Sequence, residues 1–184
     1  VISTPVTVVS GLAAAARRGI LIKGGAYLEE ARKLKAVALD KTGTVTEGRP
    51  KLVAQVILSK ALPEPDVLRI AYALAGRSDH PVSKAVSTGL ALTEQQDVQD
   101  FGAEAGRGVY GTMAGHNYVL GNHRWIHDRG QCSPELEALL SEHERQGRTV
   151  AVLANQETVL AMFAVADTIK ASSQEAIGEM LKLG

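Results

Sequence analysis

The heptapeptide Asp40-Lys41-Thr42-Gly43-Thr44-Val45-Thr46 carries the strongest signal in this chain. The apolar run Ala36–Leu39 precedes it and predicts a buried parallel strand, because strands covered on both faces are continuously apolar. Asp40 is then expected at the carboxyl end of a strand, where open α/β sheets form ligand crevices. A carboxylate, a lysine, hydroxyl groups and a glycine together suit a phosphate-bearing ligand. The carboxylate is a candidate nucleophile, since aspartate can form an aspartyl-phosphate.

An Asp-Lys-Thr triplet alone would be explained equally well by a polar turn after a strand. The full heptapeptide, however, resembles the phosphorylation signature of P-type ATPases, cation pumps whose catalytic core belongs to the haloacid-dehalogenase class. The match holds at every one of its positions, which makes a chance turn a poor explanation. The resemblance implies that Asp40 is phosphorylated during catalysis.

The composition of the chain limits the other possibilities. Its 184 residues allow one or two domains, and 45% of them are hydrophobic, which is enough for a core. The formal net charge is zero, so nothing favours a nucleic-acid partner. The single cysteine, Cys132, excludes an internal disulfide and a cysteine-rich metal site.

The first segment, Val1–Ala16, is nearly all apolar or small, and two arginines follow it. It is either an ordinary buried helix or the cytoplasmic end of a membrane helix with arginines on the inner side. Val1–Pro5 resembles the sequence that follows the Cys-Pro-Cys metal motif in heavy-metal P-type ATPases. The resemblance therefore narrows to the zinc-, cadmium- or lead-type branch, with the rest of the membrane part expected outside this chain.

Apolar periodicity, glycine and proline predict the remaining elements. Before the heptapeptide we expect a short strand with a glycine turn in Ile20–Gly25 and a helix over Ala26–Lys33. After it we expect these elements: a strand over Lys51–Ser59, helices from Pro63 to Arg77 and from Pro81 onward, strands near 98–103, 109–113 and 117–120, a helix from Ser133 to Gln146, a hairpin of 149–153 with 158–165, and a helix over Ala171–Leu183.

This order predicts an α/β fold with an insertion. The fold class is an incomplete haloacid-dehalogenase-like (Rossmann-type) phosphorylation domain with an inserted α+β nucleotide-binding domain built on an antiparallel sheet. The predicted boundaries are residues 1–48 and 166–184 for the two parts of the phosphorylation domain and 49–165 for the insert. Insertion is tolerated where the two chain ends of the inserted domain lie close together.

Three short motifs in the insert are candidates for a nucleotide site, although each has an ordinary structural explanation. A histidine between two helices is commonly a cap, and glycines at strand ends are commonly bulges or turns. In this order, the motifs resemble the nucleotide domain of heavy-metal ATPases. The implied ATP-binding residues are His80 and Pro81, Gly106 and Gly108, and Gly121 and Asn122. The resemblance places His80 against adenine, while Ala75 replaces a glutamate that often binds the adenine amino edge.

The resemblance also implies the chemistry at Asp40. The Asp40 carboxylate attacks the γ-phosphoryl group of ATP, and this carboxylate together with the Thr42 carbonyl ligates Mg²⁺. Lys41 adds a cation, and Thr44 lies against the phosphate. Related phosphatases carry a second aspartate where this chain has Thr42. Because threonine is no general base, the phosphoenzyme is expected to persist, which favours a pump over a phosphatase.

Two further groups have two interpretations each. Asp167, with Lys170, looks like the hinge and phosphate-site support of the family, but a helix N-cap explains it equally well. His123 and His127 have a helical spacing that suits zinc, with Asp128 a speculative third ligand. Solvent-facing histidines are the preferred interpretation, and we expect no tight zinc or cadmium site in this chain.

The sequence thus predicts the ATP-binding and phosphorylation core of a heavy-metal-exporting ATPase at the cytoplasmic face of the membrane. Its expected cofactors are ATP and Mg²⁺, and its expected partners are a transported divalent metal ion, an actuator domain and a membrane domain. The family's remaining phosphate and Mg²⁺ residues are expected beyond Gly184, so this chain alone is not expected to phosphorylate itself. The alternatives are a soluble haloacid-dehalogenase-type phosphatase and a non-catalytic nucleotide-binding module.

Overall fold

The computed structural model describes residues 3–94 and 96–182. These residues form two compact units, one made of the chain up to Leu39 together with residues from Gly178 onward, and the other of Asp40–Ile177.

The first unit contains helix α1, Ser3–Arg17, and helix α2, Gly25–Glu30, which a short 3₁₀ turn extends through Lys33. The predicted helix over Ala26–Lys33 is therefore confirmed. The two helices pack closely at Gly11, where an added Cβ would lie 2.7 Å from Leu28 Cδ2. Val6 and Val9 of α1 are more than half exposed, so the interpretation of α1 as a buried helix is wrong for the described residues. Among those residues, no helix combines the length and apolarity that crossing a membrane requires.

Two predicted strands in this unit are wrong. Ile20–Gly24 and Ala36–Leu39 have no regular structure, Gly25 already belongs to α2, and Leu21 is 90% exposed. A strand needs a neighbour that takes up its backbone hydrogen bonds, and no described strand pairs with either segment. A short apolar run therefore did not suffice to identify a strand.

The second unit is built on one six-stranded sheet in which every neighbouring pair is antiparallel. The strand order is β1-β6-β5-β4-β3-β2. The strands are β1 Thr46–Ile57, β2 Gln99–Glu104, β3 Gly108–Met113, β4 His116–Gly121, β5 Thr149–Ala154 and β6 Val159–Ile169. The predicted antiparallel sheet, including the hairpin of β5 and β6, is confirmed.

Helices cover both faces of this sheet. Helices α3, Glu64–Ala75, and α4, Pro81–Leu90, pack on one face, while α5, His123–Asp128, and α6, Pro134–Arg145, pack on the other. The side chains of the interior strand β6 alternate between the two layers: Phe163 joins the α3/α4 core and Met162 joins the α5/α6 core. A strand covered on both faces is apolar throughout, which explains the unbroken run in β6.

Local capping explains where the helices begin. The Ser133 side chain accepts a hydrogen bond from the Leu136 amide at 3.2 Å, with Pro134 in the first turn of α6, as predicted. Asn122 caps α5 in the same way through the Trp125 amide, at 2.9 Å. Helix α5 has only six residues, too few for an apolar period to appear in the sequence.

Strands β1 and β6 extend beyond the predicted domain boundaries. Strand β1 begins at Thr46, whose partner is Ile169 near the end of β6, and α7, Ala171–Lys182, follows directly. The boundaries after residues 48 and 165 therefore fall inside paired strands. This pairing brings the loop before β1 next to the segment that follows β6.

Gly108 is required by the approach of β3 to β4. Its φ is +150°, and an added Cβ would collide with the Leu120 carbonyl and lie 2.6 Å from Gly121 Cα. Gly106, two residues earlier, also has a positive φ, of +70°, but nothing lies within 4 Å of its added Cβ. Both glycines thus have a backbone conformation that is unfavourable for other residues, but only Gly108 is closely packed.

We expect Gly108→Ala to lower the free energy of unfolding by about 3 kcal/mol or more, since backbone strain and overpacking add. Gly106→Ala, the matched control, should lose only about 1–2 kcal/mol from its backbone conformation. Urea unfolding of the 184-residue chain measures both. Equal losses in the two variants would contradict the close approach of β3 to β4.

Candidate functional site

The loop Asp40–Val45 is a wide turn that leads into β1. Thr42, with φ −78° and ψ 119°, and Gly43, with φ 77° and ψ −15°, have the dihedral angles of a type II turn. That turn requires a positive φ at its third position, which explains Gly43. The side chains of Asp40, Lys41 and Thr42 are exposed, so this loop presents a carboxylate and an ammonium group to solvent.

The buried Thr46 side chain holds the loop in place through hydrogen bonds. The residue is only 2% exposed, and its hydroxyl oxygen accepts a hydrogen bond from the Gly43 amide at 3.2 Å. The same hydroxyl lies 3.0 Å from the Lys41 carbonyl and makes a short hydrogen bond to an Asp167 carboxylate oxygen. A hydroxyl has one proton and donates to one of these acceptors at a time. The loop therefore depends on a buried hydroxyl that the sequence analysis assigned no role.

Asp167 is part of β6, and its carboxylate faces the start of β1. Besides the Thr46 hydroxyl, it accepts a hydrogen bond from the Arg49 amide at 3.2 Å. Asp167 lies within Val159–Ile169 and not at the first turn of α7, so the N-cap interpretation does not describe its position. Its carboxylate joins the two strands at the point where both meet the loop.

Residues after β6 hold the outer side of the loop. Lys170 donates from Nζ to the Gly43 carbonyl at 2.6 Å and from its amide to the Val45 carbonyl at 3.0 Å. Ser173, in the first turn of α7, donates from its hydroxyl to the Thr44 carbonyl at 3.3 Å. The backbone of the loop is thus fixed by hydrogen bonds while the Asp40 and Lys41 side chains stay accessible.

The predicted nucleotide residues fall into two groups. The first group consists of the Gly-x-Gly and Gly-Asn motifs. Gly108 pairs with Gly121 in the register of β3 and β4. Asn122 donates from its backbone amide to the Arg107 carbonyl and from Nδ2 to the Gly106 carbonyl, both at 2.8 Å. The Gly-x-Gly and Gly-Asn motifs therefore form a single corner of the sheet.

The second group, His80 and Pro81, lies at the start of α4. The His80 ring accepts a hydrogen bond at Nδ1 from the Val82 amide, at 3.3 Å, and Pro81 occupies the first helical turn. With Nδ1 as acceptor, the neutral ring carries its proton on Nε2, where it is available to a ligand. Among the described residues, no hydrogen bond or ion pair joins His80 to the corner formed by Gly106, Gly108, Gly121 and Asn122.

The surroundings of His80 set the local charge. The neighbouring Asp79 carboxylate lies 2.8 Å from the Lys84 ammonium, whose hydrogen bond lowers the pKa of Asp79. Ala75, at the end of α3, is fully buried and offers no hydrogen-bonding side chain. The chain therefore presents the His80 ring at the start of α4 and offers no side-chain hydrogen-bond acceptor at Ala75.

His123 is not the solvent-facing residue that the sequence analysis preferred. Its side chain is 18% exposed; Nε2 lies 2.9 Å from Glu137 and Nδ1 lies 3.2 Å from Glu144. Burial acts to lower the pKa of His123, but the hydrogen bonds to the two carboxylates outweigh it and raise the pKa. His127 is exposed, and Asp128 pairs with Arg107 at 3.3 Å. The helical His123/His127 pair predicted as a possible zinc site is therefore not assembled.

Comparison with known proteins gives one family and a consistent set of relatives. The model of the haloacid dehalogenase-like hydrolases matches residues 34–184. The whole chain is 36% identical to a probable cadmium-transporting ATPase of Alkalihalophilus pseudofirmus and 38% identical to a probable copper-importing P-type ATPase A of Enterococcus hirae. It covers 26% and 25% of those two proteins, so it spans about a quarter of their length.

A solved structure gives the same result. The chain superposes over 100% of its length on 30% of a zinc-transporting PIB-type ATPase, with a TM-score of 0.84 and 33% identity. The resemblance that the heptapeptide indicated is confirmed by these matches. The chain belongs to the haloacid dehalogenase-like hydrolase family, and over its whole length it is similar to heavy-metal P-type ATPases.

Proposed function

We propose that this chain is the ATP-binding and phosphorylation core of a heavy-metal-transporting P-type ATPase, with Asp40 as the phosphorylated residue. The observation that carries the proposal is the exposed Asp40 carboxylate on a loop whose backbone is fixed by Thr46, Lys170 and Ser173. Phosphoryl transfer depends mainly on positioning and electrostatic stabilisation, so a fixed loop with a free carboxylate suits it.

The donor set of the loop fits Mg²⁺. A carboxylate from Asp40 and a backbone carbonyl from Thr42 are the hard oxygen ligands that this ion prefers. Of the carbonyls on either side of Thr42, that of Gly43 accepts a hydrogen bond from Lys170 Nζ, and that of Lys41 lies 3.0 Å from the Thr46 hydroxyl. When bound, the ion neutralises negative charge that develops on the transferred phosphoryl group.

The side chains of the loop then have distinct roles. An Asp40 carboxylate oxygen attacks the γ-phosphorus and forms the new oxygen–phosphorus bond, while the bond to the ADP oxygen breaks. Lys41 is exposed beside it and lowers the repulsion between two anions. The Thr44 side chain lies against the phosphate. Thr42 carries no carboxylate to activate water, so the aspartyl-phosphate persists long enough for a conformational cycle.

The nucleotide is held by the insert in this proposal. His80 donates from Nε2 and stacks on the base, with Pro81 fixing the start of α4. The corner formed by Gly106, Gly108, Gly121 and Asn122 lets the nucleotide approach the backbone closely. Because Gly108 is already required by the pairing of β3 with β4, its presence supports the proposal less than the position of Asn122 does.

The transported ion and the remaining parts are inferred from relatives. Proteins similar to this chain are named for cadmium, copper and zinc, and one of them is named as an importer. We propose a divalent ion of the zinc, cadmium or lead class, moved outward, with this chain at the cytoplasmic face of the membrane. An actuator domain and a membrane domain that binds the ion complete the protein.

A substitution at His80 tests the nucleotide site. His80→Asn keeps a side-chain acceptor for the α4 cap but removes the ring and its Nε2 proton. We expect ATP to bind this variant more weakly by about 1–3 kcal/mol, the usual loss when a hydrogen-bonding contact is removed. Titration calorimetry on the 184-residue chain measures this change. His116→Ala, which removes another exposed histidine, should bind ATP normally, and an unchanged affinity in His80→Asn would remove His80 from the site.

A substitution at Asp40 tests the chemistry in the intact protein that contains this chain. Asp40→Asn should abolish the acid-stable, hydroxylamine-sensitive label from γ-labelled ATP, because an amide cannot form the acyl phosphate. Nucleotide binding should change little. Asp97→Asn, at an exposed aspartate of the insert, is the control and should label normally. Labelling that persists in Asp40→Asn would show that another residue is phosphorylated.

A further inference from the structure

Three side chains that commonly ligate metals meet on the α5/α6 side of the sheet. His123 is the first residue of α5, Cys132 lies in the connection to α6, and Glu137 lies in the first turn of α6. One ligand atom from each lies within 4.8 Å of the others. None of the three has a part in the chemistry proposed for Asp40, so the cluster calls for its own explanation.

The second ring nitrogen of His123 is oriented as it is in many metal sites. Nε2 faces Glu137 at 2.9 Å, while Nδ1 faces the Glu144 carboxylate at 3.2 Å. Histidines that bind a metal through one nitrogen usually donate the other N–H to a carboxylate, which fixes the tautomer and the ring orientation. Glu144 occupies this position, and it leaves Nε2, which faces Glu137, as the ligand atom.

The elements that carry the cluster are held by the core. Ile126 of α5 and Leu136 and Leu140 of α6 are buried against the sheet. In the connection between the helices, the Gln131 side chain donates to the Asn155 carbonyl at 3.0 Å, next to Cys132. Tetrahedral zinc bond lengths require ligand atoms about 3.3–3.6 Å apart, and the three ligand atoms already lie within 4.8 Å of one another on elements that the core holds in place.

The donor set selects the kind of ion. A thiolate, an imidazole and a carboxylate are ligands of Zn²⁺, and the soft thiolate also favours Cd²⁺, whereas Mg²⁺ prefers oxygen ligands alone. Burial and the neighbouring Glu137 raise the pKa of the Cys132 thiol, so an ion bound here displaces the thiol proton. Three protein ligands leave a fourth tetrahedral position for water.

We propose that His123, Cys132 and Glu137 bind one Zn²⁺ or Cd²⁺ ion, with Glu144 as a positioning residue that orients the His123 ring. This inference replaces the expectation that the chain has no tight site for these ions. That expectation rested on a single cysteine and scattered histidines, and it could not include a glutamate brought close only by the fold. The site is separate from Asp40 and His80, and it stands or fails independently of the proposed function.

Titration of the metal-free 184-residue chain with Cd²⁺ tests the proposal without any substitution. We expect one equivalent to bind, to produce the ultraviolet thiolate-to-cadmium charge-transfer band, and to protect Cys132 from alkylation. Zn²⁺ should compete for the same equivalent. Absence of stoichiometric binding, or binding that leaves Cys132 fully reactive, would overturn the proposal and leave the cluster as an ion-paired histidine beside a thiol.

Variants identify the ligands. Cys132→Ser should eliminate the band, and His123→Gln should weaken Cd²⁺ binding by more than about tenfold, while Glu144→Gln should weaken it about 10–100-fold as outer-shell changes do. His127→Gln removes the exposed histidine one turn later in the same helix and should leave binding unchanged. Circular dichroism establishes that each variant is folded. Full binding in both Cys132→Ser and His123→Gln, or loss of binding in His127→Gln, would contradict the assignment.

Discussion

The hydroxyl of Thr46, bonded to the Asp167 carboxylate, is the contact on which the arrangement of this chain depends. It joins the start of β1 to the end of β6, two strands that are far apart in sequence and adjacent in the sheet. The Gly43 amide uses the same hydroxyl as acceptor, so the loop with Asp40 is positioned by the antiparallel sheet. Hydrogen bonds to ionised groups are among the stronger ones, and this one is partly buried.

In the proposed function, the loop with Asp40 serves phosphoryl transfer and the corner of the sheet at Asn122 serves nucleotide binding. The loop combines a backbone fixed from both sides with exposed acidic and basic side chains, which is the combination that group transfer needs. The corner at Asn122 is held by two hydrogen bonds to residues of the Gly106–Gly108 turn, and it belongs to the rigid sheet. Glycine is required for different reasons at two positions: the turn requires it at Gly43, and close packing requires it at Gly108.

The sequence predicted those features that local residues determine. The heptapeptide indicated the family, and the caps at Ser133 and the turn at Asn155 indicated α6 and the β5–β6 hairpin. Strands at Ile20–Gly25 and Ala36–Leu39 were wrong, since strand formation depends on a partner that the run itself does not specify. The partner of Thr46 and the cluster around His123 were missed because they form only through contacts between distant segments.

The most direct test of this account is the rate of phosphoenzyme formation in the intact protein carrying Asp167→Asn. The substitution keeps the shape of the side chain but removes the charge that Thr46 and the Arg49 amide bond to. We expect phosphorylation to slow by about tenfold or more, corresponding to a loss of about 1.5–3 kcal/mol, while the affinity for ATP stays unchanged. An unchanged rate, or an equal loss of ATP affinity, would contradict the conclusion that this contact positions Asp40.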